Sequence, residues 1–290
     1  MTAAELARWL LDKAPGLASD ICRAEGCHAV HSGRPWLMVC GHQAGQTLFG
    51  AERSLLDILL AFQALGLNVL VVLPEANNRS YVSEVLDVCQ HLAILPMAWW
   101  QQGAQISPVT CEQLEGLMRE FGVAHLYLNT VVHYEPVLAA RAYGIPVSVH
   151  ARELPFCDPA LCETLNAEAE EVRAHALESA DILVANSRYL ADFYRAPVAQ
   201  IVPNAVEAGV SPAGSPATAP FRVGMISSNL PKKGLDDFVS MARALANRNL
   251  PVSCVLVGPE NVHIAKLKAA ADRRELPDNL EFAGYVADPV

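Results

Sequence analysis

Residues 142–154, AYGIPVSVHAREL, carry the pattern that decides the fold. A predicted helix ends here at a glycine, and a short apolar run at residues 146–150 follows, which is typical of a buried strand. His150 ends that run, and Arg152 and Glu153 come directly after it. Because ligands of parallel sheets bind beyond the carboxyl ends of the strands, these three residues are expected at a ligand-binding edge.

The same alternation of strand and helix extends from this stretch in both directions. Further apolar runs that predict strands stand at residues 35–40, 68–74, 91–95, 124–129, 181–186, 200–203, 221–226, 251–257 and 280–282. Patterns that predict helices stand at residues 1–17, 51–65, 81–89, 111–121, 135–143, 161–180, 188–194, 235–248 and 262–274. Strands that are apolar throughout, separated by helices, indicate a parallel sheet covered on both faces. The fold class is therefore α/β.

A change in composition divides the chain. Residues 207–220, EAGVSPAGSPATAP, are rich in Ala, Pro, Gly and Ser and have no periodicity, which predicts a linker. We therefore expect two Rossmann-like domains, over residues 1–206 and 221–290. Doubly wound domains usually have about 100 residues or more, so the second domain is expected to be incomplete.

Charge and composition argue against several classes of protein. The 290 residues carry a formal net charge of −10, whereas nucleic-acid binding needs a basic face. The same charge argues against purely electrostatic docking on an anionic membrane. No apolar run approaches the ~20 residues that span a bilayer, and the start of the chain lacks the apolar region of a secretory signal. We therefore expect a cytoplasmic protein without a transmembrane segment, with peripheral membrane contact left open.

The eight cysteines mostly stand in apolar surroundings, where reduced structural thiols are usual. Two close pairs occur, Cys22 with Cys27 and Cys157 with Cys162, but neither has zinc spacing with a matching second half. We predict no metal site and no bound cofactor.

Short motifs follow one another in order over nearly the whole chain. They are GAERSLL at 50–56, AYGIPV at 142–147, HAREL at 150–154, ADILVANS at 180–187, IVPNAVE at 201–207, VGMI at 223–226, KKG at 232–234, VGPE at 257–260 and FAGYV at 282–286. Together they resemble the retaining glycosyltransferases of family 4. The resemblance implies the two-domain GT-B fold and sugar transfer from a nucleotide diphospho-sugar to a saccharide or lipid-linked acceptor, with retention of configuration. It also implies an acceptor-side N-terminal domain and a donor-side second domain.

The chain departs from the family pattern at three points. Met225 stands where members often have arginine, and Ala205 replaces a usual glycine. The family's E-x7-E segment, which contacts the donor, is expected beyond residue 290, so we expect these residues alone to transfer little or no sugar. The alternative function is a non-catalytic binding or scaffold protein, or an inactive fragment, of the same fold. A nicotinamide-dependent oxidoreductase would need a G-x-G-x-x-G loop at residues 41–50, which is absent.

The stretch SSNLPKKGLDDF, residues 227–238, holds the candidate donor-binding residues. Lys233 and Gly234 before a helix supply an ammonium group, a close-approach glycine and a positive helix end. Such groups stabilise the charge that grows on a leaving phosphate without a metal. Further candidates there are Lys232, Ser227, Ser228 and Asn229. The alternative is that the lysines are solvated turn residues.

The N-terminal half holds the remaining candidates. His150 and Glu153 are the predicted catalytic residues, and the ordinary pKa of histidine would permit either protonation state of His150. Arg152 is a candidate for pairing with phosphate or a carboxylate, and a local ion pair is the alternative. The other cleft candidates, for which helix capping and local backbone bonding are the alternatives, are Gly50, Ala51, Glu52, Ser187 and Asn204.

The remaining histidines and the tryptophan pair are weaker candidates. His42, His125 and His133 are not expected to act in the site. Trp99 and Trp100 suit stacking on a sugar or packing, and packing is favoured.

Overall fold

The computed structural model describes residues 21–42, 45, 48, 50–196, 199–205 and 221–286. The chain divides into two compact units, unit 1 (Met1–Ala205) and unit 2 (Val206–Val290), each considered by itself below. The predicted helix over residues 1–17 and the predicted linker over residues 207–220 lie outside the described residues.

Unit 1 is built on a sheet that has eight strands within the described residues. Seven run parallel, and β1 pairs antiparallel with β4 at one edge. In spatial order they are β1 (Cys22–Glu25), β4 (His91–Ile94), β3 (Asn68–Leu73), β2 (Trp36–Cys40), β5 (Val123–Leu128), β6 (Val147–Ala151), β7 (Ile182–Ala185) and β8 (Ala199–Ile201). Every residue of β3 is buried, as expected for an apolar run inside a doubly covered sheet.

Strand β1 is a correction to the sequence analysis, which considered Cys22 only as part of a thiol pair. Its side chains alternate, with Cys22 and Ala24 buried and Arg23 and Glu25 exposed. That period of two is the pattern of a strand with one face on the core. Four residues with small apolar side chains were too weak a signal to stand out.

Helices cover both faces of this sheet. They are α1 (Gly50–Ala64), α2 (Arg79–Asp87), α3 (Pro108–Phe121), α4 (Glu135–Tyr143), α5 (Pro159–Leu165), α6 (Ala169–Ser179) and α7 (Arg188–Tyr194). One face packs α1 and α2 against the β1–β4–β3–β2 half of the sheet. The other face packs α3 to α7 into a larger core. Among the described residues, no helix combines the length and the apolar character that crossing a bilayer requires.

The single helix predicted over residues 161–180 is wrong, because α5 and α6 are separate. Asn166 ends α5 with φ 48°, a left-handed conformation that asparagine tolerates better than most residues. Glu168 then starts α6 through a capping box with Glu171. An asparagine does not interrupt an apolar pattern, so the break could not be read from periodicity.

Unit 2 contains a parallel sheet with three strands in the part of the chain that is described. The order is β11 (Leu280–Gly284), β10 (Val252–Val257) and β9 (Phe221–Ile226). Helices α8 (Leu235–Asn247) and α9 (Val262–Asp272) accompany it. Leu235, Leu256 and Ile264 form a small buried core.

Candidate functional site

The carboxyl edge of the unit 1 sheet is the side at which its parallel strands end. Asn129, the residue after β5, connects three elements at this edge. Its backbone N–H donates to the carbonyl of Cys40 at 3.0 Å, at the end of β2. Its side-chain amide donates to the Ala51 carbonyl at 3.1 Å, in the first turn of α1. Its side-chain oxygen accepts from Arg152 Nε at 2.9 Å. The side chain is fully buried, so this residue fixes the geometry of the edge.

Arg152 lies in the middle of this edge and is partly buried. Besides Asn129, its guanidinium donates to Asn204 Oδ1 at 2.6 Å and lies 3.2 Å from His150 Nδ1. Burial lowers the pKa of Arg152, but an arginine keeps its charge in proteins. Among the described residues the hydrogen-bonding partners of the guanidinium itself are all uncharged, while the nearby carboxylates of Glu153 and Asp57 act in the direction that raises its pKa. The edge therefore presents a positioned positive charge that no direct ion pair neutralises.

His150 is about 1% exposed, and the Tyr127 hydroxyl lies 2.6 Å from its Nδ1. Burial, with the nearby charge of Arg152, lowers the pKa of His150 to about 3. The expectation that His150 could take either protonation state near neutral pH is therefore wrong, because the buried ring is neutral. Its other nitrogen, Nε2, is buried and has no hydrogen-bond partner within the described part of the chain.

Glu153 joins two loops of the same edge. Its carboxylate accepts from Thr130 Oγ1 at 2.5 Å and from the backbone N–H of Val131 at 3.3 Å, both in the loop after β5. It also accepts from the N–H of Arg152 at 3.0 Å. A carboxylate with these three donors is well placed to hold loops in position.

The start of α1 contributes less than the sequence suggested. Gly50 is exposed, and a Cβ added there would meet nothing within 4 Å among the described residues, so no contact with them requires a glycine. Glu52 is 4% exposed and points into the protein. Ser187 begins α7 and accepts from the Leu190 N–H at 3.3 Å, which is helix capping. Ala51 belongs to the edge through its carbonyl.

The lysine corner of unit 2, residues 231–237, differs in character. Lys232 and Lys233 are exposed and belong to a short 3-10 turn, Pro231–Lys233. Gly234 follows with φ 83° and begins α8. Asp236 and Asp237 occupy the first turn of that helix, where their charges oppose an incoming anion. The sequence analysis gave these two aspartates no role.

The loop before the corner is held by its own hydrogen bonds. Ser227 Oγ donates to Asn229 Oδ1 at 3.3 Å and accepts from the Asn229 N–H at 3.0 Å. Asn229 is 2% exposed with φ 55°, and its amide donates to the Pro259 carbonyl at 3.2 Å. The Ser228 carbonyl accepts from Asn261 Nδ2 at 3.2 Å. These contacts lock the loop after β9 to the loop after β10.

The predicted residues thus fall into two groups that lie in different units. Unit 1 brings Ala51, His150, Arg152, Glu153 and Asn204 into one hydrogen-bonded network, and unit 2 gathers its candidates in one loop and corner. Sequence reasoning missed Asn129 and Tyr127. Asn129 could have been found, because it follows an apolar strand just as Arg152 does. Tyr127 carried no signal within its apolar run.

The aromatic residues mostly pack within the protein. Trp100 stacks on His175 with ring centroids 3.8 Å apart, in agreement with the favoured packing role. Trp99 contacts His42 edge-on at 5.0 Å. Within the described ranges, no group of three or more His, Cys, Asp or Glu side chains is arranged to hold a metal ion.

Comparisons with known proteins identify the family and the fold. The family model described as Glycosyltransferase Family 4 matches residues 50–209, more than half of the chain. A search of curated proteins gave no match. The structure is similar to that of MurG from Acinetobacter baumannii, with 14% identity, 88% of this chain and 69% of that chain covered, and a TM-score of 0.53.

Two further solved structures give the same result. S. aureus MnaA in its UDP co-structure shares 12% identity over 87% of this chain and 69% of that one, with a TM-score of 0.52. The glycosyltransferase of kitacinnamycin shares 15% identity over 88% of this chain and 72% of that one, with a TM-score of 0.51. At 12–15% sequence identity, the similarity between this chain and the three solved structures shows the fold alone. The predicted α/β fold class with Rossmann-like domains and the predicted family are confirmed.

Proposed function

Since this chain belongs to glycosyltransferase family 4, we propose that it transfers a sugar from a nucleotide diphospho-sugar to a saccharide or lipid-linked acceptor, with retention of configuration. Unit 1 supplies the acceptor side in this proposal and unit 2 the donor side. The observation that carries it is the network of Asn129, His150, Arg152 and Asn204 at the carboxyl edge of the unit 1 sheet.

The chemistry asked of this network is stabilisation of negative charge. When the bond between the sugar and the diphosphate breaks, charge grows on the leaving phosphate oxygen. A fixed cation with uncharged partners stabilises that charge without first reorganising, and Arg152 is such a cation. In unit 2, Lys233 is proposed to offer an exposed positive charge to the diphosphate of the donor. Glu153 acts by holding the loops of the edge, and Ala51 and Asn204 act by holding Asn129 and Arg152.

The decisive experiment is a screen of nucleotide diphospho-sugars by calorimetry on the full chain, followed by transfer assays with the donors that bind. Arg152→Gln removes the charge and keeps a planar hydrogen-bonding group. We expect it to weaken diphosphate binding by about tenfold or more, since hydrogen bonds to charged groups contribute ~1.5–3 kcal/mol. NMR of the product reports whether the anomeric configuration is retained.

The matched control is Arg34→Gln. Arg34 is an exposed arginine just before β2, at the opposite edge of the sheet. Its removal should leave the affinity unchanged. Equal losses in the two variants would mean that only net charge matters, and the site assignment would be wrong.

A chelator tests the second part of the chemistry. Because Arg152 and Lys233 are proposed to carry the leaving-group charge, EDTA should leave the transfer rate unchanged. A rate that falls with EDTA and returns with a divalent cation would contradict that division of roles. Activity is expected in the cytoplasm, and in membrane fractions as well if the acceptor is lipid-linked.

One observation favours a second candidate, a binding or scaffold protein without catalysis. The side chains of Ser227 and Asn229 are engaged with each other and with Pro259, while Asp236 and Asp237 stand beside the lysines. A donor corner so arranged binds an anion less well than the sequence suggested. Donor binding without transfer to any acceptor in a panel of saccharides and lipid-linked sugars would select this candidate.

A further inference from the structure

We propose that Tyr127 is a positioning residue that fixes His150 as the tautomer with its proton on Nε2, so that this ring serves as a neutral hydrogen-bond donor. The catalytic meaning of the inference rests on the proposed function, but the tautomer itself does not. The role of Tyr127 does not follow from the family match.

The tautomer follows from the donors that surround Nδ1. Tyr127 lies on β5 and His150 on the neighbouring β6, with the phenol oxygen 2.6 Å from Nδ1. Arg152 Nη2 lies 3.2 Å from the same nitrogen. A guanidinium can only donate, so Nδ1 accepts, and the phenol hydroxyl also donates to it. A neutral imidazole with an unprotonated Nδ1 carries its proton on Nε2.

The surroundings keep His150 neutral and keep the hydroxyl proton on Tyr127. In the described part of the chain, the titratable groups that contact the ring are Tyr127 and the positive Arg152, and Arg152 disfavours an imidazolium. Burial lowers the pKa of His150 and raises the pKa of the Tyr127 phenol. The tyrosine therefore keeps its proton to donate, and the histidine stays neutral.

The position of Tyr127 makes it suited to this task. Its ring packs edge-on against Phe62 of α1 with centroids 5.3 Å apart. On the same side it lines a cavity of about 370 Å³ together with Trp36, Phe62 and Leu67. Since this lining is largely apolar, the phenol hydroxyl finds its polar partner at His150, and the ring is oriented by packing.

This tautomer has a consequence for Nε2, the other ring nitrogen of His150. Nε2 is buried, and within the described part of the chain it is an N–H donor for which no acceptor is found. A buried unpaired donor is unfavourable until an oxygen accepts from it. A substrate oxygen, a hydroxyl or a phosphate oxygen, is the chemical class of acceptor that it suits.

The first test is nitrogen NMR of the histidine rings in the full chain, from about pH 5 to about pH 9. The chain has nine histidines, so the spectrum of His150→Gln assigns the signal. We expect an unprotonated Nδ1, a protonated Nε2 and no titration. A protonated Nδ1 or an imidazolium at neutral pH would overturn the inference, whether or not the protein transfers sugar.

Tyr127→Phe tests the role of the phenol. We expect a mixture of the two tautomers in this variant, with an unchanged spectrum in Tyr189→Phe, which alters an exposed tyrosine of α7. A single Nε2-protonated ring in Tyr127→Phe would show that Arg152 suffices and would overturn the role of Tyr127. If Tyr127→Phe does not fold, proton NMR of the unaltered protein decides: the hydroxyl proton of Tyr127 must be seen bound to Nδ1 of His150, and a phenol proton in exchange with water would overturn the role of Tyr127.

The second test uses two replacements of His150. The amide nitrogen of glutamine reaches the Nε2 position, whereas that of asparagine reaches only Nδ1. We expect His150→Gln to keep about tenfold more transfer activity than His150→Asn. Equal activities would overturn the donor role. Absence of nucleotide diphospho-sugar binding to the unaltered protein, with the expected spectrum, would instead refute the proposed function and leave the tautomer assignment standing.

Discussion

The carboxyl edge of unit 1 and the lysine corner of unit 2 both present positive charge, but by opposite physical means. Arg152 is partly buried and bonded to three uncharged partners, Asn129, Asn204 and His150. Lys232 and Lys233 are exposed, and two aspartates stand beside them. Water and counter-ions screen the exposed lysines more strongly than the partly buried Arg152. The lysine corner has the more conspicuous sequence motif, but its positive charges are held in position less firmly than that of Arg152.

The pH dependence of stability tests whether His150, at the carboxyl edge of unit 1, is as well shielded from water as its contacts indicate. Burial lowers the pKa of His150 to about 3 and those of His133 and His175 to about 4. The unfolded chain therefore binds more protons between these values and about 6.5, and stability rises with pH across that window. We expect the free energy of unfolding to fall by about 1.4 kcal/mol per pH unit for each of the three as pH drops below about 6.

Urea denaturation across that range measures the effect. In His150→Gln, one of the three contributions should disappear, so the pH slope should become shallower by about 1.4 kcal/mol per unit. An unchanged slope would mean that water reaches His150, and the contrast between the two regions would be lost.

Gly258→Ala tests whether close backbone packing, and not a buried charge, holds the loops of unit 2 together. A Cβ at Gly258 would lie 2.0 Å from the Ser227 carbonyl oxygen, and its φ is 153°. We expect a loss of roughly 2–4 kcal/mol in the stability of unit 2, because backbone has to move. Gly224→Ala in β9, where a Cβ would meet nothing within 4 Å, is the matched control. Similar losses in both variants would count against the loop lock.

A comparison of Lys233→Ala with Arg152→Gln addresses the contrast directly. We expect Lys233→Ala to weaken nucleotide diphosphate binding by about 1 kcal/mol or less, since the ammonium is exposed. That loss should vanish in salt of about 1 M, whereas the larger loss in Arg152→Gln should persist. Calorimetry at two ionic strengths measures both. Unchanged affinity of Lys233→Ala at low salt would remove the phosphate role assigned to this lysine.

The smallest effect is expected from Asp236→Asn combined with Asp237→Asn. Removing these charges should destabilise α8 by about 0.3–1 kcal/mol through loss of the helix-dipole interaction. The same change should raise diphosphate affinity, because the anion no longer meets two carboxylates. Asp272→Asn at the end of α9 serves as the control. Lower affinity in the double variant would show that the corner does not bind anions through its helix end.

The parallel strands and the place of His150 could be predicted because apolar runs and strand ends are local properties of the sequence. The network around Arg152 could not, since Arg152 and its two asparagine partners are 23 and 52 residues apart along the chain. Whether they meet depends on strand order, which periodicity does not contain. The neutrality of His150 was missed for the same reason, because burial is set by the assembled sheet. Asp236 and Asp237 follow the lysines directly in the sequence, and their charges near a helix start are a local property that the sequence does contain.

The reversed strand β1 has a consequence for solubility. It covers β4, and its outward positions carry Arg23 and Glu25. Charged side chains on a short outermost strand discourage two sheets from joining edge to edge. If β1 were removed, β4 (His91–Ile94) would still pair with β3, but within the described residues its other side would have unpaired backbone groups, and such a strand is a template for self-association into fibrils or soluble clusters.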